Sequence, residues 1–538
     1  MMLKTLAVFT LVLITVGARC QSMPCHNLTG LSLPNARVVL AQTVAAGTFR
    51  LPTSTEREVR EGIPFRRLPA FCRVVLSLTP AQDSDIAIEL WLPIHQWNGR
   101  LMGVGNGGFA GEIDYRGLAT AVGLGYATAA TNTGHQGSFT DAEWALGHPE
   151  KVIDFGYRAI HLMTTDSKTI LKDFYAAAAR YSYFESCSTG GRQALMEAQR
   201  FPADYNGILA GAPANNWTML MTNAVVASQA LSQTPASYIS PAKLPAIHSA
   251  VLAACDAQDG VRDGILNDPR RCHFDPSVLL CRGHDNDQCL TQPQVTALRT
   301  IDSGLRDRDG HPIYPGYEPG GELGSDDGWA AWLLGPAPGN SLISRFGTRY
   351  FRDMVYSNPQ WSPEPFNVTQ ALQDAEKKTG EILNATNPDL RQFADRGGKL
   401  ILYHGWSDAA IPPVSTINYY NDVRRKMGSG RTDKFVRLYM APGMQHCELG
   451  PGPNSFGQNG PSSASGAENA RHDIRLALQA WVEDAVAPSS IIAAKYAGDA
   501  AGGKIVMTRP LCAYPLAARY NGTGDPDQAS SFVCAPEP

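Results

Sequence analysis

The chain has no excess of basic charge. Its 46 lysines and arginines stand against 50 aspartates and glutamates, a formal net charge of −4, so it lacks the electrostatic footprint that nucleic-acid binding requires. It also has no apolar run suited to a stable membrane span, since the stretch Leu6 to Val16 falls short of the roughly 20 residues a bilayer needs. Placed behind Met1-Met2-Leu3-Lys4, that stretch instead predicts a secretory signal peptide over 1–20. Cleavage is expected near Cys20 with Ala18 at the −3 position, or else directly after Ala18. The arginine before Cys20 argues against a lipoprotein site. An unpaired cysteine is missing too: of 11 cysteines, loss of Cys20 leaves an even number, as expected of a chain oxidised outside the cytoplasm, extracellular or periplasmic. The sequence carries no signal of oligomeric state.

What is present is enough apolar material for a sizeable core, 43% of 538 residues, in a length that permits one domain with a large insertion. The most informative stretch runs from Tyr181 to Met196. There an aromatic, β-prone run, Tyr181-Ser182-Tyr183-Phe184, stops at a small-residue corner, and a helix-forming run begins after Gly191. Strand, sharp turn and helix around a serine form the nucleophile elbow of α/β-hydrolases, and Ser188 is the candidate nucleophile. The usual G-x-S-x-G signature lacks its first glycine here, where Ser186 stands.

A cysteine adjoins Ser188, and a second one, Cys447, directly follows His446. A Cys187–Cys447 disulfide would hold both loops together, because bridged Cα atoms lie within roughly 4.4 to 6.8 Å. Chain order in this class runs Ser, Asp/Glu, His, and the apolar strand Lys399 to Tyr403 ends in a turn carrying Asp408. His404 and His135 are the rival bases, and His472 is expected on a surface helix. Asp433 and Glu448 are rival acids that lack a strand-end position. Cys187 as a thiol nucleophile is disfavoured by its expected bridge.

Three segments, Cys187-Ser188-Thr189-Gly190-Gly191-Arg192-Gln193, Tyr403-His404-Gly405-Trp406-Ser407-Asp408 and Gly443-Met444-Gln445-His446-Cys447, resemble the tannase/feruloyl esterase family. So do Trp97 to Gly111 and Leu209 to Ala214. The resemblance implies an α/β-hydrolase fold with a large inserted lid domain, with 21–214 and 396–538 as the catalytic part and 215–395 as the lid. It implies a serine carboxylesterase acting on aromatic acyl esters, either small molecules or groups linked to polysaccharide, without an organic cofactor. Feruloyl esters lead and galloyl esters are the alternative. A terephthalate monoesterase, or a non-catalytic secreted binding protein on the same fold, follows at a distance.

Ser188, Asp408 and His446 then form the triad. The N–H of Thr189, with Gly107 or Gly108 after the strand Leu101 to Gly105, would make the oxyanion hole. Near-neighbour cysteines predict Cys255–Cys272, Cys281–Cys289 and Cys512–Cys534. Cys25–Cys72 remains by elimination and agrees with the family pattern. In the lid segment Cys255 to Ile265, carboxylates interrupted by glycines can wrap a hard cation. The resemblance maps a structural calcium site onto Asp256, Asp259 and Asp263, with main-chain oxygens of Val261 and Ile265.

Coarser features complete the reading. Val74 to Leu78 and Ile86 to Leu92 alternate as two strands, Tyr126 to Asn132 gives another, and Phe155 to Tyr175 keeps helical spacing. Gly207 to Gly211 reads as a short buried strand, Phe435 to Met440 as the strand before His446, and Ile474 to Ala485 as an amphipathic helix. Strands alternating with helices predict a mostly parallel sheet. Trp329, Trp332, Phe346, Tyr350, Phe351, Tyr356 and Trp361 make the lid aromatic-rich. The tail after Pro488 is expected to wrap the surface. Five sequons, at Asn27, Asn216, Asn367, Asn384 and Asn521, would carry glycans in a eukaryotic host.

Overall fold

The computed structural model describes residues 23–52, 65–109, 111–324, 328–458, 460 and 469–536. The expected signal peptide lies outside them. A nine-stranded sheet organises the chain. In sequence order its strands are β1 (Ala36–Val44), β2 (Phe71–Leu78), β3 (Ile86–Pro93), β4 (Arg100–Val104), β5 (Ala127–Thr131), β6 (Tyr181–Cys187), β7 (Gly207–Gly211), β8 (Lys399–Gly405) and β9 (Val436–Ala441). In space they run β1-β2-β3-β5-β4-β6-β7-β8-β9. The first three pairings are antiparallel, and the five from β5 through β9 are parallel. This is the expected α/β-hydrolase arrangement.

Successive side chains of a strand face opposite sides, and two apolar layers result. Leu90 and Phe184 enter one layer, while their neighbours Trp91 and Tyr183 enter the other. The first layer is closed by α2 (Ala159–Tyr175) and by α3 (Thr189–Arg200), the helix that begins after Ser188. The second is closed by α1 (Tyr115–Gly123) and, late in the chain, by a helix over Ile474–Asp484. Local chemistry sets the ends. Asp114 caps α1 by accepting the N–H of Gly117 at 2.8 Å, and α2 stops where Ala176 turns left-handed.

Between β7 and β8 the chain leaves the sheet. It forms α4 (Trp217–Ser232), further helices and one small two-stranded sheet of Leu305–Arg306 with Pro312–Tyr314. Helix α4 is apolar nearly all round. It serves one cluster through Trp217, Leu220 and Val225 and a second through Ala224, Ala227 and Leu231. After β7, and before β9, the helix over Val414–Met427 is α5, and Ile474–Asp484 is α6.

Two parts of the chain differ from expectation. Strand β1 was not foreseen, although Val38, Ala41 and Val44 face inward from it; its pairing with β2 contains a bulge between Val38 and Leu40 that breaks the alternation. The tail does more than wrap the surface. Ser490–Tyr496 pairs with Ile505–Cys512, and Ile491, Ala493 and Leu511 are buried in the second layer. His472 is exposed and lies in the turn before α6, not within it. No helix among the described residues is long and apolar enough to cross a membrane.

Candidate active site

The carboxyl ends of parallel strands are where open α/β sheets collect their ligands, and four of the predicted segments emerge there. Ser188 follows β6 with φ 65° and ψ −125°, a strained conformation for any residue with a Cβ. The surroundings hold it. Its N–H donates to Gly211 O at 3.0 Å, and its own O accepts from Ala214 N and Arg192 N, each at 3.1 Å.

The missing glycine of the elbow has a physical account. A Cβ on Gly190 would come within 1.9 Å of Ser186 Oγ, so the Ser186 side chain occupies the space that Gly190 leaves free. Gly191 is required as well, since a Cβ there would meet Gly211 O at 2.3 Å.

The glycine loop after β4 is tied to the same helix. Gln193 Oε1 accepts the N–H of Asn106 at 3.0 Å, and Gln193 Nε2 donates to Asn106 Oδ1 at 3.2 Å. Thr189 Oγ1 donates to Gly108 O at 2.8 Å. Gly108 itself has φ 57°, and a Cβ on it would strike Phe139 O. Next along, Phe109 O accepts from His135 Nε2 at 2.7 Å, and the His135 ring stacks on Trp144. Burial pushes the His135 imidazole down to about 4 against the opposing hydrogen bonds with the main chain of Phe109 and Thr133, so it is a neutral prop for this loop. Thr189, Gly107 and Gly108 are thus adjacent, and Asn106, Gln193 and His135 hold them.

Asp408 sits at the end of β8, 2% exposed. Its Oδ1 accepts from the N–H groups of Ala410 (2.8 Å) and Ile411 (2.9 Å). Its Oδ2 accepts from His446 Nδ1 at 2.8 Å and from His404 Nε2 at 3.0 Å. Burial alone would raise this carboxyl; the charge of His446 and the hydrogen bonds of both imidazoles outweigh it and hold the group well below the usual carboxylate range. A carboxylate only accepts, so both ring nitrogens carry hydrogen. His404 Nδ1 lies 2.7 Å from Thr416 Oγ1, which places His404 as a partner of the acid. Of the rival acids, Asp433 pairs with Arg424 instead.

The Cys187–Cys447 bridge, Cα to Cα 6.0 Å, joins the residues adjacent to Ser188 and His446. With 3.8 Å per peptide step, the Cα atoms of Ser188 and His446 lie within roughly 14 Å. By loop-closure entropy a bridge across 260 residues restricts the unfolded chain by on the order of 5 kcal/mol. The remaining bridges are Cys25–Cys72, Cys255–Cys272, Cys281–Cys289 and Cys512–Cys534. Above His446, Trp332 presents its ring nearly edge to face, centroids 5.3 Å apart, and stacks on Phe346, which in turn packs on Phe109 and Phe139. Of the seven aromatics singled out between β7 and β8, Trp332 is the one against the imidazole. Trp329, Phe346, Tyr350 and Phe351 are buried core.

A model of the family described as tannase and feruloyl esterase matches residues 72–535. The chain belongs to the tannase and feruloyl esterase family. It is 40% identical over 566 residues to an uncharacterized esterase of Xanthomonas campestris, covering 100% of this chain and 95% of that one. To a protein named "Probable feruloyl esterase B" from Aspergillus clavatus it is 34% identical, over 94% of each chain. The crystal structure of feruloyl esterase B from Aspergillus oryzae superposes with a TM-score of 0.85 at 31% identity, covering 95% of this chain and 99% of that one. As a member of this esterase family, the protein is a carboxylic ester hydrolase.

In this tannase and feruloyl esterase member the acidic loop over 255–265 is held by hydrogen bonds from its own backbone. Asp256 Oδ1 accepts from Gly264 N (3.0 Å), Asp259 Oδ1 from Val261 N (3.0 Å) and Asp263 Oδ1 from Ile265 N (3.1 Å). Asp263 Oδ2 also accepts from the buried Arg509 at 2.7 Å. Burial raises Asp259 to about 6; the Val261 N–H opposes that rise, and the negative charge of Asp263 and Asp256 adds to it.

Proposed function

We propose that the protein is a secreted serine esterase that hydrolyses feruloyl and related hydroxycinnamoyl esters, free or linked to plant cell-wall polysaccharide, through an acyl-enzyme. The observation that carries this is His446 Nδ1 held by the buried Asp408 carboxylate at 2.8 Å, with the Cys187–Cys447 bridge drawing that histidine to the strained Ser188 corner. A serine hydroxyl is a weak nucleophile, so His446 takes its proton as Oγ attacks the ester carbonyl. Asp408 fixes the tautomer that leaves Nε2 free to accept and stabilises the imidazolium. The N–H of Thr189 with that of Gly107 or Gly108 stabilises the tetrahedral oxyanion, each such donor being worth on the order of 3 kcal/mol. His446 gives the serine proton to the departing alcohol, leaving the acyl-enzyme, and water activated by His446 then releases the acid. Trp332, backed by the buried Phe346, offers a flat apolar face beside the reacting centre, which suits an aromatic acid. Secretion is supported by five disulfides.

The relatives named feruloyl esterase favour the hydroxycinnamoyl reading, and a side-by-side hydrolysis assay tests it. Methyl ferulate is expected to give a kcat/KM at least about tenfold above that of methyl gallate, a margin of roughly 1.4 kcal/mol. Faster cleavage of methyl gallate would replace it with the galloyl reading. Failure to cleave either ester would point to a different acyl group, such as a terephthalate monoester.

For the acidic lid loop we propose a structural calcium ion bound by Asp256, Asp259 and Asp263, with the main-chain oxygens of Val261 and Ile265 completing the shell. The donors are all oxygen, which suits a hard cation. The mutual repulsion that helps raise Asp259 is what such an ion would relieve. Bound there, calcium would supply charge neutralisation and order to the loop, with no part in ester chemistry. A chelator should therefore lower the melting temperature of the wild type by about 1 to 2 °C, as about 1 to 2 kcal/mol would do in a chain of this length, and leave that of Asp259→Ala unchanged. Identical melting curves for the wild type with and without chelator would refute the site.

A further inference from the structure

We propose that His161, Glu197 and Asp204 form a zinc site on the flank of the nucleophile-bearing helix, apart from the esterase machinery and from the acidic lid loop. His161 comes from α2, Glu197 from the last turn of α3 and Asp204 from the connection to β7. One ligand atom from each lies within 4.8 Å of the others. His161 is distant in sequence from the neighbouring Glu197 and Asp204, and the packing of α2 on α3 brings its imidazole to the two carboxylates.

The second observation is the state of Glu197. Its side chain is 1% exposed, and neither carboxylate oxygen accepts from a donor among the described residues, its polar neighbour being the Asp204 carboxyl. A buried carboxylate is stable only when paired, hydrogen-bonded, metal-bound or protonated. Lys168 is the neighbouring cation, but its ammonium donates to the main-chain oxygens of Ala203 and Asp204. His161 is already oriented for ligation: Nδ1 lies 2.7 Å from Asp204 Oδ2, and the ring stacks on Phe201 with centroids 3.8 Å apart.

One imidazole and two carboxylates are a zinc donor set, whereas calcium and magnesium favour oxygen alone. The partly exposed edge of His161 gives the ion a way in and leaves a fourth position for water. From the imidazolium form, binding releases the Nδ1 proton to solvent while Nε2 keeps its hydrogen, and the freed Nδ1 lone pair goes to the metal, so affinity falls as pH falls. Nine helical residues, roughly 13 Å at 1.5 Å each, separate Glu197 from Ser188. The ion would clamp α2 to α3 and take no part in ester cleavage.

The test uses the full chain, stripped with chelator, returned to excess calcium so that the lid loop is satisfied, and titrated with zinc sulfate in a calorimeter. The expected result is one zinc per chain, proton release seen as a buffer-dependent heat, and a raised melting temperature. Both Glu197→Gln and His161→Ala should lose the bound zinc and the melting shift while retaining wild-type ester turnover. Glu197→Gln is isosteric and His161 is partly exposed, so the two variants do not share a folding risk. Absence of stoichiometric zinc on the wild type, or its retention by either variant, overturns the site; Glu197 would then hold a proton shared with Asp204.

Discussion

Ser188→Ala is expected to lower kcat for methyl ferulate by roughly a million-fold, and to abolish labelling by a fluorophosphonate, with the melting temperature nearly unchanged. The stability half of this expectation comes from the backbone. The cost of φ 65° at position 188 lies in the contact between Cβ and the main chain, which alanine shares with serine. The restraints that enforce it, from Gly211, Ala214 and Arg192, are main-chain hydrogen bonds that alanine leaves in place. A large fall in melting temperature would mean that the Ser188 hydroxyl carries a structural role. Undiminished labelling would move the nucleophile elsewhere in the chain.

Much of this site could be read from sequence because its requirements are local. An elbow needs small residues where chain segments touch, and Gly190 and Gly191 are glycine for that reason, the first to clear Ser186 and the second to clear Gly211 O. The parallel strands showed themselves as short apolar runs ending in turns. Strand β1 did not, because its bulge interrupts the alternation that marks a half-buried strand. What sequence order cannot express is which distant groups share an atom. His404, four residues before Asp408, reads as a rival base, and only the turn at the end of β8 shows that it donates to the same carboxylate oxygen as His446. The choice of Trp332 among seven aromatics, and the grip of Gln193 and His135 on the glycine loop, likewise depend on contacts between separate segments. The motif hinted at Gln193 only through its place in the helix after the elbow.

Asp408→Asn should lower kcat by about 10⁴ at neutral pH while keeping the fold, and the reason is the number of hydrogen bonds converging on one carboxylate. In the wild type Oδ1 accepts from two N–H groups, and Oδ2 accepts from two imidazoles. An asparagine that keeps its oxygen toward Ala410 and Ile411 must turn its NH₂ toward His446 and His404. Two donors then face one another unless His446 gives up its Nδ1 hydrogen and carries it on Nε2 instead. In that tautomer Nε2 can no longer accept the Ser188 proton. The pH profile provides the discriminating readout. Asp408 is held well below the ordinary carboxylate range, so its contribution to stability is complete above the unfolded-state value near 3.9 and is lost only as pH falls through the depressed folded value. The acid limb of wild-type kcat/KM should therefore follow the imidazole of His446, with no carboxylate inflection above about pH 4. In Asp408→Asn turnover should rise again toward alkaline pH, where hydroxide substitutes for the missing base. A kcat within tenfold of wild type at neutral pH, with His446 still bonded to position 408, would remove Asp408 from the mechanism.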